Sequence, residues 1–92
     1  MAYAYKIYTS TTSGQEDFQF TFPYINAEHV KLYVNYTEIA YAVATRGAGV
    51  AGFQIHTSGG NTYARLNDTN GLSSANIRVE VRRISSLSLI HI

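Results

Sequence analysis

Three stretches of the chain alternate strictly between apolar and polar side chains. In 17–22, Phe18, Phe20 and Phe22 share one face, with Gln19 and Thr21 on the other. In 29–35, Val30, Leu32 and Val34 alternate with His29, Lys31, Tyr33 and Asn35. In 77–82, Ile77, Val79 and Val81 alternate with Arg78, Glu80 and Arg82. A period of two places every second side chain on the same face of an extended backbone, so each stretch reads as a strand with one buried and one wet face. The nine apolar residues of these stretches are the expected core. Weaker alternation marks further strands at 4–8, 38–44, 53–57, 62–66 and 87–92.

Turn signals separate these segments. Gly14 lies within 11–16, and Pro23 ends the phenylalanine strand because it has no N–H for a central ladder. Asn26 is placed to cap one tight helical turn near 26–30. Gly47, Gly49 and Gly52 mark a loop, as do 59–61 and 67–74. The expected fold is all-β: a small antiparallel β-sandwich or barrel of about seven or eight short strands, a single β domain over residues 1–92. No internal repeat, low-complexity tract or linker interrupts it.

Composition agrees. Val, Ile and Thr number 6, 8 and 9, and there are 8 Tyr and 4 Phe among 92 residues. These side chains suit a pleated, half-buried surface. Charged residues make up 14% of the chain and hydrophobic ones 46%, the reverse of a disordered segment. The net charge of +1 has no clustered basic patch, which argues against nucleic-acid binding. The chain has no Cys, which excludes disulfides and thiolate metal sites. No apolar run reaches the length of a membrane span, and the N-terminus lacks the pattern of a secretory signal. Synthesis in the cytoplasm, with no Sec-type export, is the expectation.

Signals for chemistry are thin. Residues 47–52 match G-x-G-x-x-G, but the following segment alternates like a strand, whereas dinucleotide binding needs a helix there. A glycine-rich hairpin loop is the expected reading. His29, His56 and His91 are too dispersed to chelate a metal within one chain. No nucleophile elbow or carboxylate pair is apparent, so neither an enzyme nor a cofactor is expected. The N-x-[ST] matches at Asn35 and Asn67 carry no weight without a secretion signal.

Two features point to an interface. Arg82 continues the wet face of Arg78 and Glu80. Arg83 continues the face of Val79 and Val81, so it must reach a sheet edge, pair with a carboxylate or enter an interface. In the 87–92 segment, Leu87 and Leu89 share one face while Ile90 and Ile92 take the other. Such a segment is either an internal strand buried on both sides or a strand that pairs with another chain.

The order F-x-F-x-F-P-Y at 18–24, H-V-K-L-Y-V-N at 29–35 and I-R-V-E-V-R-R at 77–83 resembles the N-terminal, tail-attachment domain of tail fibres in short-tailed, autographivirus-type phages. The likeness spans most of residues 6–85. Each motif alone is a generic amphipathic strand; the three in order, with Pro23-Tyr24 and Arg82-Arg83, are more specific. The resemblance implies a virion structural protein of the tail, a homotrimer seated between adaptor and nozzle subunits. Two features differ from the family pattern. Family members usually read Y-V-N-G, whereas Tyr36 follows Asn35 here, which implies a longer hairpin. They also continue past the Arg-Arg pair into a helical linker, a shaft and a receptor-binding tip. This sequence stops at Ile92, so an anchoring module that accepts a separate fibre or spike is expected, or a minor virion protein built from the same domain. A capsid cement or decoration protein is the alternative, and a carbohydrate-binding sandwich a more distant one. The expected docking surface comprises the Pro23-Tyr24 corner and Arg82 and Arg83 with Leu87, Leu89, Ile90 and Ile92, the tail being favoured.

Overall fold

A computed structural model describes residues 4–24 and 26–83. It contains seven strands: β1 (Ala4–Tyr8), β2 (Asp17–Phe20), β3 (Val30–Val34), β4 (Thr37–Ile39), β5 (Phe53–Ser58), β6 (Asn61–Leu66) and β7 (Val79–Arg83). They form two antiparallel sheets, one ordered β1-β7-β3-β4 and the other β2-β6-β5. The fold is all-β and consistent with a small sandwich, as the alternation predicts. The 87–92 segment lies outside the described residues.

The chain crosses between sheets four times, through 9–16, 21–29, 40–52 and 67–78, and turns back within a sheet only at the β3–β4 and β5–β6 hairpins. Each crossing carries an apolar face to the opposite side of one core. Phe18, Val30, Leu32, Phe53, Ala64, Val79 and Val81 are completely buried there, with Phe20, Leu66 and Leu72 nearly so. Burying a side chain such as Phe18 stabilises the fold by roughly 1.5–3 kcal/mol. Of the nine expected core residues, six are in this cluster; Phe22, Val34 and Ile77 are partly buried against it.

The strand limits are tighter than the alternation suggests. β2 stops at Phe20, so Phe22 packs from the following turn with its ring centroid 4.7 Å from that of Phe20. β7 begins at Val79, and Ile77 and Arg78 belong to the preceding loop. The expected strand at 38–44 is reduced to Thr37–Ile39, because residues 40–44 leave the first sheet to run along β5. There Phe53 donates its N–H to the Ala40 carbonyl at 2.9 Å, and Ala42 donates to the Phe53 carbonyl at 2.8 Å. The expected helical turn is a 3-10 turn at Ala27–His29, with the Asn26 side chain accepting from the Glu28 N–H at 2.9 Å.

Two loop expectations are corrected. The β3–β4 hairpin is not lengthened by Tyr36: Val34 pairs with Thr37, so Asn35 and Tyr36 form a two-residue turn. Both adopt positive φ, 52° and 69°, the conformation of a primed turn matched to strand twist. The Arg78 guanidinium lies 4.6 Å from the Tyr36 ring centroid, a contact glycine would not supply. The glycine-rich segment 47–52 is a loop, but not a hairpin, since the strands flanking it belong to different sheets. Gly52 has φ 93°, and a Cβ there would lie 3.0 Å from both the Ala40 oxygen and the Ala42 side chain.

Candidate protein-docking site

The strand pairing sets two ends of the molecule apart. At one end β2 and β7 finish while β1, β3 and β6 begin, and the Pro23 turn crosses there. At the other lie the 40–52 and 67–78 loops. The expected docking residues within the described chain, Pro23, Tyr24, Arg82 and Arg83, belong to the first end. Leu87, Leu89, Ile90 and Ile92 lie outside the described residues.

Arg83 pairs in register with Ala4 of β1 on one side and Val30 of β3 on the other. Alternation along β7 points it inward, on the face of Val79 and Val81. A guanidinium cannot stay in the apolar core, and here it reaches the sandwich mouth, donating from Nη1 to the Pro23 carbonyl at 2.8 Å. Sequence reasoning allowed an edge, a carboxylate or an interface; the partner found is a backbone carbonyl 60 residues away. Pro23 and Arg83, separate elements in the sequence, thereby form one corner. The Arg83 Nε is buried and has no hydrogen-bond partner among the described residues. A buried donor in that state costs about 1–3 kcal/mol, so an acceptor brought to it would be bound favourably.

Tyr24 is partly buried against the core, its ring centroid 6.0 Å from that of Phe20. Beside the corner, β1 faces β2 across a groove of about 500 Å³ that includes Ala4, Lys6, Tyr8, Phe20 and Phe22. The Tyr8 hydroxyl closes its inner end by donating to the Gln19 carbonyl at 2.5 Å. Burial pushes the Tyr8 phenol above its ordinary pKa, an effect partly offset by that hydrogen bond.

Arg82 faces away from the corner, on the outer side of the four-stranded sheet. It grips Glu80 through Nε at 3.0 Å and Nη2 at 3.2 Å, and stacks 4.6 Å from the Tyr33 ring centroid. Arg78 approaches Glu80 from the other side at 3.3 Å. The expected wet face is thus partly covered: Glu80 is only 7% exposed. The Arg82 hydrogen bonds are the main reason its carboxyl is held below the usual range, with Arg78 adding to the effect against the opposing cost of burial.

The opposite end is closed by a residue the periodicity did not single out. Asn67 is fully buried. Its Nδ2 donates to the carbonyls of Ala42 at 2.8 Å and Ala51 at 3.1 Å, and its Oδ1 accepts from Gln54 Nε2 at 2.7 Å. Its backbone N–H donates to Gly52 at 2.9 Å, and its carbonyl accepts from Gly47 at 3.1 Å. Asp68 accepts from the N–H groups of Gly49 and Asn70, which hold its carboxyl below the ordinary range. The G-x-G-x-x-G segment is therefore wrapped around an asparagine side chain.

His56 stacks near Tyr63, with ring centroids 6.1 Å apart, and His29 ends the 3-10 turn. No group of three metal-ligating side chains occurs among the described residues, and no helix there is long and apolar enough to cross a membrane. His91 lies outside them. No protein-family model matches this chain, and no curated protein matches its sequence.

Proposed function

We propose that this chain is a phage virion structural protein, a tail fibre or fibre-anchoring module that attaches host-recognition fibres to a short tail. The observation that carries the reading is the corner formed by Pro23 and Arg83. Of the three segments that resemble fibre attachment domains, the third lies far along the chain from the first two, yet all meet there. The Pro23 turn leaves β2, β3 begins opposite Arg83, and β7 ends in it. An anchor must hold tail proteins without covalent bonds or metals, which calls for an aromatic and apolar patch with oriented polar contacts. The corner offers Tyr24, packed on Phe20, beside a guanidinium whose buried Nε has no hydrogen-bond partner among the described residues. In this reading the partners are tail adaptor and nozzle subunits, the assembly is a homotrimer, and the chain acts as neither an enzyme nor a nucleic-acid or membrane binder.

Imaging of purified particles with the chain labelled tests this. A fibre anchor occurs in tens of copies at the tail. Hundreds of copies over the head would make it a cement protein instead, and absence from particles would remove the virion reading altogether.

A further inference from the structure

Among the described residues, the sheet edges are not equally open. β4 is three residues long. The start of β5 is covered by 40–42 through hydrogen bonds in both directions. Two carbonyls along the outer side of β2 are engaged, Gln19 by the Tyr8 hydroxyl and Asp17 by Gln15 Nε2 at 3.3 Å. β1 differs. It has five residues, pairs only with β7, and carries Tyr5 at 59% and Ile7 at 37% exposure. It has no Pro to block pairing, and an edge of this kind is a template for another strand. The groove of about 500 Å³ lies against its inner face, with Phe20 and Phe22 on the far wall. Lys6 also lines it, but its ammonium is folded over the Tyr8 ring, 5.3 Å from the centroid, so its stem adds apolar surface.

We propose that the β1 edge accepts the 87–92 strand of a second copy of this chain. The segment has apolar side chains on both faces, Leu87 and Leu89 on one and Ile90 and Ile92 on the other. One set fits the groove and the other extends the outer patch of Tyr5 and Ile7. Arg83, the last described residue of β7, lies beside Ala4 at the mouth of the groove.

Strand direction, together with limited slack, favours a copy's tail over the chain's own. To add beside β1, the tail of the same chain must travel from β7 across β1, two strand spacings or about 9.6 Å. Arg83 and Leu87 are separated by at most about 14 Å of extended chain. That leaves little slack to round the backbone entering β1, and the added strand would run parallel to β1. A strand from a second copy is free of both constraints and can pair antiparallel, the stronger arrangement. Donor and acceptor are different surfaces, so the exchange can close as a reciprocal pair or as a head-to-tail ring such as a trimer. The proposal deepens the homo-oligomer of the preceding section but does not depend on where the protein sits in a particle. It leaves the Pro23 corner free to face the tail proteins.

The cysteine-free sequence makes the test direct. An isotope-labelled full-length Lys6→Cys variant is co-refolded with unlabelled full-length Leu89→Cys or Ile90→Cys, which present opposite faces, and oxidised. A disulfide needs Cα atoms within about 7 Å. The expected product is a mixed-label covalent dimer with one of the two tail variants, and none when Glu38→Cys on β4 replaces Lys6→Cys. Wild-type protein should show at least twice the chain mass by light scattering, and deletion of 87–92 should reduce this to one chain with unchanged circular dichroism. The proposal is overturned by a monomeric wild type, by cross-linking at β4 rather than β1, or by a Lys6→Cys/Ile90→Cys or Lys6→Cys/Leu89→Cys double variant that closes within one chain. None of these outcomes alters what particle imaging reports about tail or head location.

Discussion

The two ends of the sandwich solve the same problem in opposite ways. Each must accommodate polar groups where strands stop above an apolar core. At the loop end, Asn67 is fully buried and its side chain makes three hydrogen bonds, tying 40–44, the glycine loop and β5 together. At the corner end, Arg83 makes one hydrogen bond to Pro23 and keeps a buried Nε without a partner among the described residues. A satisfied buried network rigidifies a structure, whereas a partly satisfied one is a reservoir for an incoming group. The comparison separates the two ends: the loop end is closed by its own side chains, whereas the corner end, in the proposed reading, is completed by a partner.

Several measurements would break or sharpen that contrast. Phe20→Ala, which removes a ring from the core beside the groove, should cost about 3–5 kcal/mol in urea unfolding. Asn67→Ala should cost about 1–3 kcal/mol, because it removes a fully buried side chain's bonds to the Ala42 and Ala51 carbonyls and to Gln54 Nε2. Arg83→Met should change stability by less than about 1 kcal/mol, since loss of the Pro23 bond is offset by removal of a buried unpaired donor. On the proposed function, the same variant should sharply reduce incorporation into particles. If Arg83→Met proves as destabilising as Asn67→Ala, the corner is a structural clamp and the contrast fails.

A smaller effect comes from acid. Asp17 is held below its ordinary pKa chiefly by the paired hydrogen bonds from Arg65, at 2.6 and 2.9 Å, and Glu80 chiefly by Arg82. A carboxyl depressed in the folded state contributes stability above its unfolded pKa, and that contribution disappears as pH falls through the folded value. Urea midpoints should therefore be level above about pH 5 and decline below about pH 4. Asp17 is partly exposed, so Asp17→Asn should remove only a minor share of the decline, about 0.5 kcal/mol or less. Glu80→Gln should remove more. A decline unchanged in both variants would place the acid sensitivity elsewhere.

The strands and their inward faces were legible because period-two alternation is a local property. Phe18, Val30, Leu32, Val79 and Val81 are buried as the pattern requires. β6 was fainter, since its inward positions are Thr62, Ala64 and Leu66, and small or polar side chains blur the contrast. Leu72 was missed because it reaches the core from a loop, beside Gly71. The Asn35-Tyr36 turn was misjudged because tyrosine at positive φ is held by Arg78, a residue from another element. Asn67 lay hidden in a turn-like run, where asparagine ordinarily bonds its own backbone. The Pro23 and Arg83 positions were both singled out, but nothing in their spacing joined them.

By itself, then, the sequence determined an all-β chain, the identity of most strands and which of their faces are apolar, because those follow from neighbours two residues apart. It also set the chemistry available at each end, with no Cys, scattered charge and many tyrosines. Only the tertiary structure decided which strands share a sheet, that Asn67 closes one end, and that Arg83 meets Pro23 at the other. Those outcomes depend on four crossings between sheets, each of which brings together groups tens of residues apart. Local periodicity carries no information about partners at that distance, whereas packing all the apolar faces onto one core does.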